Sequence, residues 1–320
     1  MTAPYNLDGK RVWVAGHRGM VGSAVSRRLE RAGARLVSVT REELDLRRQA
    51  AVEDWMASTR PEAVIIAAAT VGGIEANRTR PAEFLYDNLA IAANIIHAAA
   101  ETGVEKLMAL SSACVYPREA AQPIREDSLL TGPFEPTNEA YAVAKLAALK
   151  LCQAYRQQHG KDFIAVSPTN LFGPGDNFDP AASHVIPAMI LKTHNARTTG
   201  GGPVEIWGSG SPRREFLYVD DAADALVFLM ERYSEADIIN VGGGEDVSIR
   251  ELAELTAEVT GYTGGFRFDT SRPDGMPRKA LDASRILGMG WKPFTSLRDG
   301  LAKTVEWFLA NPEMRRSDRS

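Results

Sequence analysis

A glycine-rich turn near the start of the chain constrains its fold more than any other feature of the sequence. The apolar run Arg11 to Ala15 leads into this turn, and an amphipathic stretch from Ser23 to Ala32 follows it. That order predicts a strand, a turn and a helix, with a dinucleotide pyrophosphate bound by the turn backbone and the positive end of the helix. The expected cofactor-binding residues of the turn are Gly16, His17, Arg18, Gly19, Met20, Val21 and Gly22.

Apolar runs and helical patterns alternate over the first half of the chain. Strands are predicted at Arg11 to Ala15, Arg35 to Val39, Ala63 to Ala67, Lys106 to Ser111 and Phe163 to Ser167, and helices at Arg48 to Ser58, Ala82 to Ala100 and Thr137 to Gln158. Strands that alternate with helices form a parallel sheet covered on both faces. We therefore expect an α/β fold with a Rossmann-like, doubly wound parallel sheet.

The residues after the second predicted strand indicate which dinucleotide is bound. Folds that bind NAD place an acid there, about 20 residues after the glycine turn, to hold the ribose 2′-hydroxyl. Here Val39 is followed by Thr40 and Arg41. Arg41 and Arg18 can bind a 2′-phosphate through charge-assisted hydrogen bonds, which predicts NADP as the cofactor. The alternative is that both are solvated surface arginines.

The chain changes character beyond Asn170, where glycine, proline and loop residues become frequent. We expect residues 1–170 to form the NADP-binding domain, with residues 214–244 rejoining it. Residues 171–213 and 245–312 are expected to form a smaller, looped substrate lobe, and residues 313–320 a tail that is disordered from Arg315 to Ser320. Ser248 and Glu251 predict a capping box that opens a helix from Ile249 to Thr260.

Ser112, Tyr141 and Lys145 are candidate catalytic residues because of where they lie in the predicted elements. Tyr141 and Lys145 lie four apart on a predicted helix and therefore share a face. A phenol with a pKa of about 10 needs a nearby cation to act as an acid or base near neutrality. Ser112 ends the preceding strand, at the sheet edge where open α/β folds bind ligands.

Composition disfavours several other classes of protein. The chain has 37 basic and 41 acidic residues, so it lacks the excess of positive charge that binding to nucleic acid or an anionic membrane requires. Its longest apolar run, Ala63 to Ala69, is far shorter than the ~20 residues that span a bilayer. Two cysteines, Cys114 and Cys152, suit a reducing compartment, so we expect a cytoplasmic protein. The five histidines form no pair at helical ligand spacing, so no metal is expected.

Taken together, these residues resemble the extended short-chain dehydrogenase/reductase family. The segments that carry the resemblance are 16–24, 71–74, 136–139, 167–171, 176–178, 183–187, 207–210, 214–216 and 273–275. The resemblance implies an NADPH-dependent enzyme that epimerises carbons 3 and 5 of GDP-4-keto-6-deoxy-D-mannose and reduces carbon 4, giving GDP-L-fucose. It also implies a homodimer, in which relatives pair two such helices as a four-helix bundle; the alanine-rich faces of Ala82 to Ala100 and Thr137 to Gln158 favour the same assembly.

The resemblance also implies a role for each site residue. The implied catalytic residues are Ser112, Cys114, Tyr141, Lys145 and His184; further cofactor contacts are Lys145, Pro168, Thr169, Asn170, Leu171 and His184; and substrate contacts are Lys192, Trp207, Arg214 and Asp274. Cys114 would be the base, with a thiol pKa lowered by polar neighbours, and His184 the acid on the opposite face of the sugar. Ser112 would orient the ketone and Lys145 would tune Tyr141.

Some features leave alternatives open. Residues 111–116 read Ser-Ser-Ala-Cys-Val-Tyr, close to the Ser-Ser-Ala-Thr-Val-Tyr of sugar-nucleotide 4-epimerases that recycle NAD. Thr70 stands where the resemblance implies lysine, and Lys192 where it implies arginine. A catalytically silent, NADP-sensing regulator is the alternative outside the enzymes, although such a protein would be expected to lose Ser112, Tyr141 or Lys145.

Overall fold

The structure, a computed structural model, describes residues 4–180, 182–272 and 274–315. Its strands are β1 (Arg11–Ala15), β2 (Arg35–Val37), β3 (Ala63–Ile66), β4 (Lys106–Leu110), β5 (Asp162–Pro168), β6 (Asn170–Phe172), β7 (Val204–Trp207), β8 (Arg213–Tyr218), β9 (Ile239–Val241), β10 (Asp246–Ser248), β11 (Phe266–Asp269) and β12 (Arg278–Lys279). Its α-helices are α1 (Met20–Arg31), α2 (Gln49–Thr59), α3 (Ile74–Thr79), α4 (Pro81–Glu101), α5 (Glu139–His159), α6 (Val185–Thr199), α7 (Val219–Arg232), α8 (Ile249–Thr260), α9 (Ser284–Gly288) and α10 (Leu297–Ala310).

A six-stranded parallel sheet forms the centre of the fold, in the order β2-β1-β3-β4-β5-β9. On one face Val12 and Val14 of β1 pack with residues of α1 and α7. On the other face Trp13 packs with residues of α2, α4 and α5, and its ring lies 4.5 Å from that of Trp55. Full burial of one such side chain contributes about 1.5–3 kcal/mol. The predicted doubly wound parallel sheet is confirmed.

Helix α1 and strand β2 differ in their bounds from the sequence prediction. The helix begins at Met20 rather than Ser23, because the backbone at Gly19 is extended and acts as the N-cap. The strand ends at Val37 rather than Val39, because β2 is an edge strand that pairs with β1 only over Arg35–Val37. Helix α1 therefore starts within the glycine turn, and β2 is two residues shorter than predicted.

The helix that carries Tyr141 and Lys145 starts later than predicted. A 3₁₀ turn over Pro136–Asn138 precedes α5, and Asn138 has a φ of −136° that is incompatible with a continuous helix. Helix α5 then continues to His159 and ends at Gly160, which adopts the left-handed conformation. The two polar residues therefore lie in the first two turns of α5.

The smaller lobe is built from pairings between distant segments. Strand β8 pairs with β10, β12 and β6, and β11 pairs with β7. In the segment 214–244, β8 thus belongs to this smaller sheet, whereas β9 belongs to the large one. The predicted capping box of Ser248 and Glu251 opens α8 and is confirmed. Residues 312–315 form a 3₁₀ turn, and residues 316–320 of the predicted tail lie outside the described residues.

A buried carboxylate ties α7 to the loop before α10. Asp221 is fully buried, and its Oδ2 accepts hydrogen bonds from the backbone N–H groups of Phe294 and Thr295 at 2.9 and 2.8 Å. The Thr295 hydroxyl donates to Oδ1 at 2.6 Å. An acid in the first turn of a helix often serves only the helix dipole. Asp221 instead anchors a loop.

We expect Asp221→Ala to lower the free energy of unfolding by about 2–4 kcal/mol, because two backbone N–H groups and the Thr295 hydroxyl lose the buried carboxylate that accepts from them. The neighbouring Asp220 is exposed and pairs with Arg27 at 2.7 Å. Asp220→Ala should therefore cost less than about 1 kcal/mol. Urea unfolding of both variants measures the difference, and equal losses would contradict the anchoring role of Asp221.

Candidate active site

The candidate site lies where the strands of the large sheet end. Because the six strands are parallel, their carboxyl ends meet at one edge of the sheet. The glycine turn follows β1, Ser111 and Ser112 follow β4, and Thr169 follows β5. The sheet therefore brings the predicted cofactor-binding and catalytic segments to the same edge.

The three glycine positions of the turn have no side chain for different reasons. Gly16 has a φ of +88°, and a Cβ there would lie 2.7 Å from Ala68 N, while a Cβ on Gly22 would overlap Gly16 O. Both are required by the packing of the protein itself. A Cβ on Gly19 would meet only Gly16 O, at 3.4 Å. Its small size leaves free the N-terminus of α1, which has no acid in its first turn and fits a pyrophosphate.

The two arginines predicted to read a 2′-phosphate are brought to the same glutamate. Arg18 Nη1 lies 3.6 Å from Glu42 Oε2, and both side chains are exposed. The pKa of Glu42 is lowered by its own backbone N–H and the Thr40 hydroxyl, and further by the charges of Arg18 and Arg41. The structure thus places both guanidinium groups beyond the end of β2. Nothing in the sequence indicates that Glu42 pairs with Arg18.

Cys114 lies in a 3₁₀ turn directly after β4. Its backbone N–H donates to the Ser112 hydroxyl oxygen at 3.4 Å, and the residue is 5% exposed. Burial raises the pKa of the thiol, and the charge of Lys279, the hydrogen bond with Ser112 and the charge of Lys145 oppose that rise. The prediction that polar neighbours lower this pKa was wrong, because removal from water has the larger effect.

Tyr141 and Lys145 lie close together, as their spacing predicts. Lys145 Nζ is 5.6 Å from the centre of the Tyr141 ring and donates to Leu110 O at 3.0 Å. Burial raises the pKa of Tyr141 above its usual value and lowers the pKa of Lys145 to about 8. The expected lowering of the Tyr141 pKa by Lys145 is therefore not found, since the phenol is buried and the ammonium is bound to the backbone. A phenol with a raised pKa is protonated at neutral pH and can donate a proton.

Lys279 is a candidate residue that sequence reasoning missed. It lies opposite Arg214 in the parallel pairing of β12 with β8. Across the described residues its ammonium has no hydrogen-bond partner, and burial lowers its pKa. Its charge also favours the thiolate of Cys114. The sequence feature that could have indicated a buried lysine is the apolar pair Ala280 and Leu281 directly after Lys279.

His184 occupies the N-cap position of α6. Its side chain is accessible, and partial removal from water lowers the pKa of its imidazole. The preceding segment contacts the turn before α3, where Gly73 N donates to Ala182 O at 3.1 Å. Among the described residues, no hydrogen bond or ion pair joins His184 to Cys114.

The residues after β5 are engaged largely with the smaller lobe. Pro168 ends β5, and Leu171 lies in β6. The Thr169 hydroxyl and the Asn170 amide both donate to Glu215 O, at 3.2 and 2.8 Å. Their side chains thus join the two sheets, and only their remaining atoms are free for a cofactor.

Arg214 and Trp207, two of the predicted substrate contacts, lie in the smaller lobe and differ in how far they are exposed. Arg214 is partly buried, and its Nη1 donates to Arg213 O and Met276 O, both at 2.7 Å. No carboxylate in the described part of the chain forms an ion pair with it. Trp207 is 65% exposed, and the Arg272 guanidinium carbon lies 5.0 Å from its ring centre. One is an unpaired cation and the other an open aromatic face.

The other two predicted substrate contacts already have partners. The Asp274 carboxylate accepts from the Ser209 backbone N–H at 2.8 Å and from the Ser209 hydroxyl at 2.7 Å. Lys192 is exposed and donates to Glu205 O at 3.2 Å. Asp274 therefore stabilises the turn that follows Trp207.

The described ranges also bear on membrane association, metal binding and the state of the cysteines. No helix there is both long and apolar enough to cross a membrane. No three His, Cys, Asp or Glu side chains converge in the arrangement of a metal site. Cys114 and Cys152 are both free thiols and both buried.

A family model, curated proteins and a solved structure all relate this chain to the same family. The NAD dependent epimerase/dehydratase family matches residues 12–242. A GDP-L-fucose synthase of Sinorhizobium fredii is 55% identical over 96% of this chain and 98% of its own, and one of Escherichia coli is 51% identical over 96% and 99%. The crystal structure of a GDP-L-fucose synthetase of Naegleria fowleri bound to NADP superimposes with a TM-score of 0.91 at 32% identity, covering 99% of both chains. The chain therefore belongs to the NAD dependent epimerase/dehydratase family and, within it, to the group of the GDP-L-fucose synthases.

Proposed function

We propose that the protein is an enzyme that converts GDP-4-keto-6-deoxy-D-mannose to GDP-L-fucose, by epimerisation at carbons 3 and 5 and NADPH-dependent reduction at carbon 4. The observation that carries the proposal is the grouping of a thiol, Cys114, with Ser112, Tyr141 and Lys145 at the carboxyl edge of the sheet. A reductase site of this kind needs the last three residues. The thiol adds a base for a second reaction.

Epimerisation needs a base on one face of the sugar and an acid on the other. The carbons beside the ketone have acidic C–H bonds, and the Cys114 thiolate removes a proton from them. The charges of Lys279 and Lys145 favour that thiolate. His184 returns a proton from the opposite face; because burial lowers the pKa of its imidazole, the neutral form predominates at neutral pH, and the protonated form that acts as the acid is the less populated one and releases its proton readily.

Reduction uses a different set of side chains. NADPH, when bound, supplies the hydride for carbon 4. The Ser112 hydroxyl holds the ketone oxygen, and Tyr141, protonated because burial raises its pKa, donates a proton to that oxygen. The Lys145 ammonium, with a pKa of about 8, is charged at neutral pH and stabilises the phenolate that remains.

Binding of the two ligands is divided between the two sheets. The glycine turn, the N-terminus of α1 and the arginines Arg18 and Arg41 suit the phosphates of NADP. In the smaller lobe, the unpaired guanidinium of Arg214 suits the pyrophosphate of the GDP-sugar, and the open face of Trp207 suits its base. Lys192 contacts the backbone of β7 at Glu205, and Asp274 binds Ser209 in the turn that follows β7.

The alternatives are less well supported. A 4-epimerase that recycles NAD needs neither Cys114 nor His184 and favours an acid where Arg41 stands. An NADP-sensing regulator has no need for the full set of Ser112, Tyr141 and Lys145. Identification of the product formed from GDP-4-keto-6-deoxymannose and NADPH separates these possibilities.

A cytoplasmic homodimer completes the proposal. The free thiols Cys114 and Cys152 suit a reducing compartment. Helices α4 and α5 pack side by side on one face of the large sheet and still present Tyr86 and Val143, which are 63% and 39% exposed. A second copy that packs on the same two helices would cover them.

We expect the double change Arg18→Ala with Arg41→Ala to raise the KM for NADPH about 10-fold or more and to leave the KM for NADH nearly unchanged. The reason is that only NADPH carries the 2′-phosphate that these guanidinium groups bind. Steady-state kinetics with both cofactors measures the effect. Equal losses with NADPH and NADH would show that the arginines do not read the phosphate.

The two half-reactions should separate by mutation. Cys114→Ser removes a base that can ionise and should slow deuterium exchange at carbons 3 and 5 by about 10²- to 10⁴-fold. Tyr141→Phe should leave exchange intact while NADPH oxidation nearly stops. His184→Asn should resemble the cysteine change. Mass spectrometry of the keto-sugar in D₂O measures exchange, and loss of exchange in Tyr141→Phe would mean that one residue set serves both reactions.

The wild-type protein should be a dimer at micromolar concentration, and Val143→Glu should make it a monomer, because the change places a charge within an apolar contact. Light scattering measures both. Phe294→Glu is a suitable control, since Phe294 is 67% exposed but lies on neither helix. A wild-type monomer would reject the assembly, as would a Val143→Glu dimer.

A further inference from the structure

Glu215 is a fully buried acid that the mechanism above does not use. Its Oε1 accepts a hydrogen bond from Gly244 N and its Oε2 accepts one from Leu281 N, both at 2.9 Å. Burial raises the pKa of this carboxyl, and the backbone N–H groups of Leu281 and Gly244, the Thr169 hydroxyl and the Gly243 N–H oppose the rise by binding its ionised form. No basic side chain in the described ranges pairs with it, so neutral hydrogen-bond donors hold the carboxylate.

The turn over residues 242–244 is shaped around this carboxylate. A Cβ on Gly242 would overlap Glu215 Oε1, so a side chain at that position and the carboxylate cannot both be accommodated. The turn follows β9 of the large sheet directly, while Glu215 belongs to β8 of the smaller one. The carboxylate therefore fixes the separation of the two sheets at this point.

The second oxygen of Glu215 fixes the end of β12. Leu281 follows the two residues of β12, and in the register of β12 with β8, Lys279 lies opposite Arg214. That pairing covers only two residues, and the segment is also held by the hydrogen bonds from Arg213 N to Pro277 O and from Ile124 N to Ala280 O. The hydrogen bond from Leu281 N to Glu215 adds an anchor just beyond Lys279. The segment that precedes β12 also supplies Met276 O, which accepts from Arg214.

We propose that Glu215 is a positioning residue: by binding the N–H groups of Gly244 and Leu281, it holds β12 in register on β8 and so keeps the Arg214 guanidinium and the Lys279 ammonium at the substrate pocket. This inference rests on the proposed function, in which Arg214 binds the pyrophosphate and Lys279 favours the Cys114 thiolate. Glu215 itself touches neither ligand. Its effect passes through the two cations on either side of the β8–β12 pairing.

Glu215→Gln tests the proposal with almost no change in shape. The amide must point its NH₂ group at one of the two backbone N–H groups, so one anchor is lost. We expect the KM for the GDP-sugar and the dissociation constant of GDP alone to rise about 10- to 100-fold, with the KM for NADPH changed less than about twofold. Titration calorimetry with GDP and steady-state kinetics measure these values.

Two further variants separate positioning from stability. Gly242→Ala displaces the same carboxylate without changing its charge and should produce the same selective loss. Asp221→Asn weakens an equally buried carboxylate that also binds two backbone N–H groups, but those groups belong to the loop before α10 and not to β12 or the turn after β9. It should lower the midpoint of urea unfolding without changing GDP affinity.

The outcomes are distinct. Selective loss of GDP affinity in Glu215→Gln and Gly242→Ala, but not in Asp221→Asn, supports the positioning role. Unchanged GDP affinity in Glu215→Gln overturns it, and so does an equal loss in Asp221→Asn. A wild-type protein that binds GDP but does not convert GDP-4-keto-6-deoxymannose rejects the proposed reaction, and the GDP titrations then still decide the role of Glu215. If Glu215→Gln does not fold, the Gly242→Ala titration decides it alone.

Discussion

Parallel pairing of six strands is the constraint on which the rest of the structure depends. It requires a crossover between every two neighbouring strands, and it delivers the residue after each strand to one edge of the sheet. The glycine turn, Ser112 and Thr169 come from segments far apart in the chain, yet all follow a strand of this sheet. The close approach of Gly16 to Ala68 shows how tightly the ends of β1 and β3 meet there.

Burial determines the protonation of the groups that we propose to be catalytic. Removal from water raises the pKa values of Cys114 and Tyr141 and lowers those of Lys145 and Lys279. Each shift favours the neutral form of its group. The thiol and phenol therefore keep their protons. Lys145, whose pKa falls only to about 8, remains charged at neutral pH and makes ionisation of the thiol less costly. A site of this kind can exchange protons with a substrate while carrying little fixed negative charge.

Much of the large sheet follows from the sequence because its signals are local. Hydrophobic periodicity locates β1, β3 and α4, and the capping box locates the start of α8. The smaller lobe is different, since β8 pairs with strands on either side of it in the chain and no local pattern encodes that order. The same holds for charge. The direction of the Cys114 pKa shift depends on how deeply the turn is buried, and Lys279 becomes a neighbour of the thiol only through the register of β12.

The order of strands in the large sheet also bears on how the chain is synthesised. Strand β5 is covered on its outer side by β9, which lies beyond β6, α6, β7, β8 and α7 in the chain. Until residues 239–241 leave the ribosome, the nascent chain exposes the apolar edge of β5 with its backbone hydrogen-bonding groups unpaired. Unpaired edges of this kind are templates for aggregation. The fold thus makes completion of its large sheet dependent on a segment that is synthesised late.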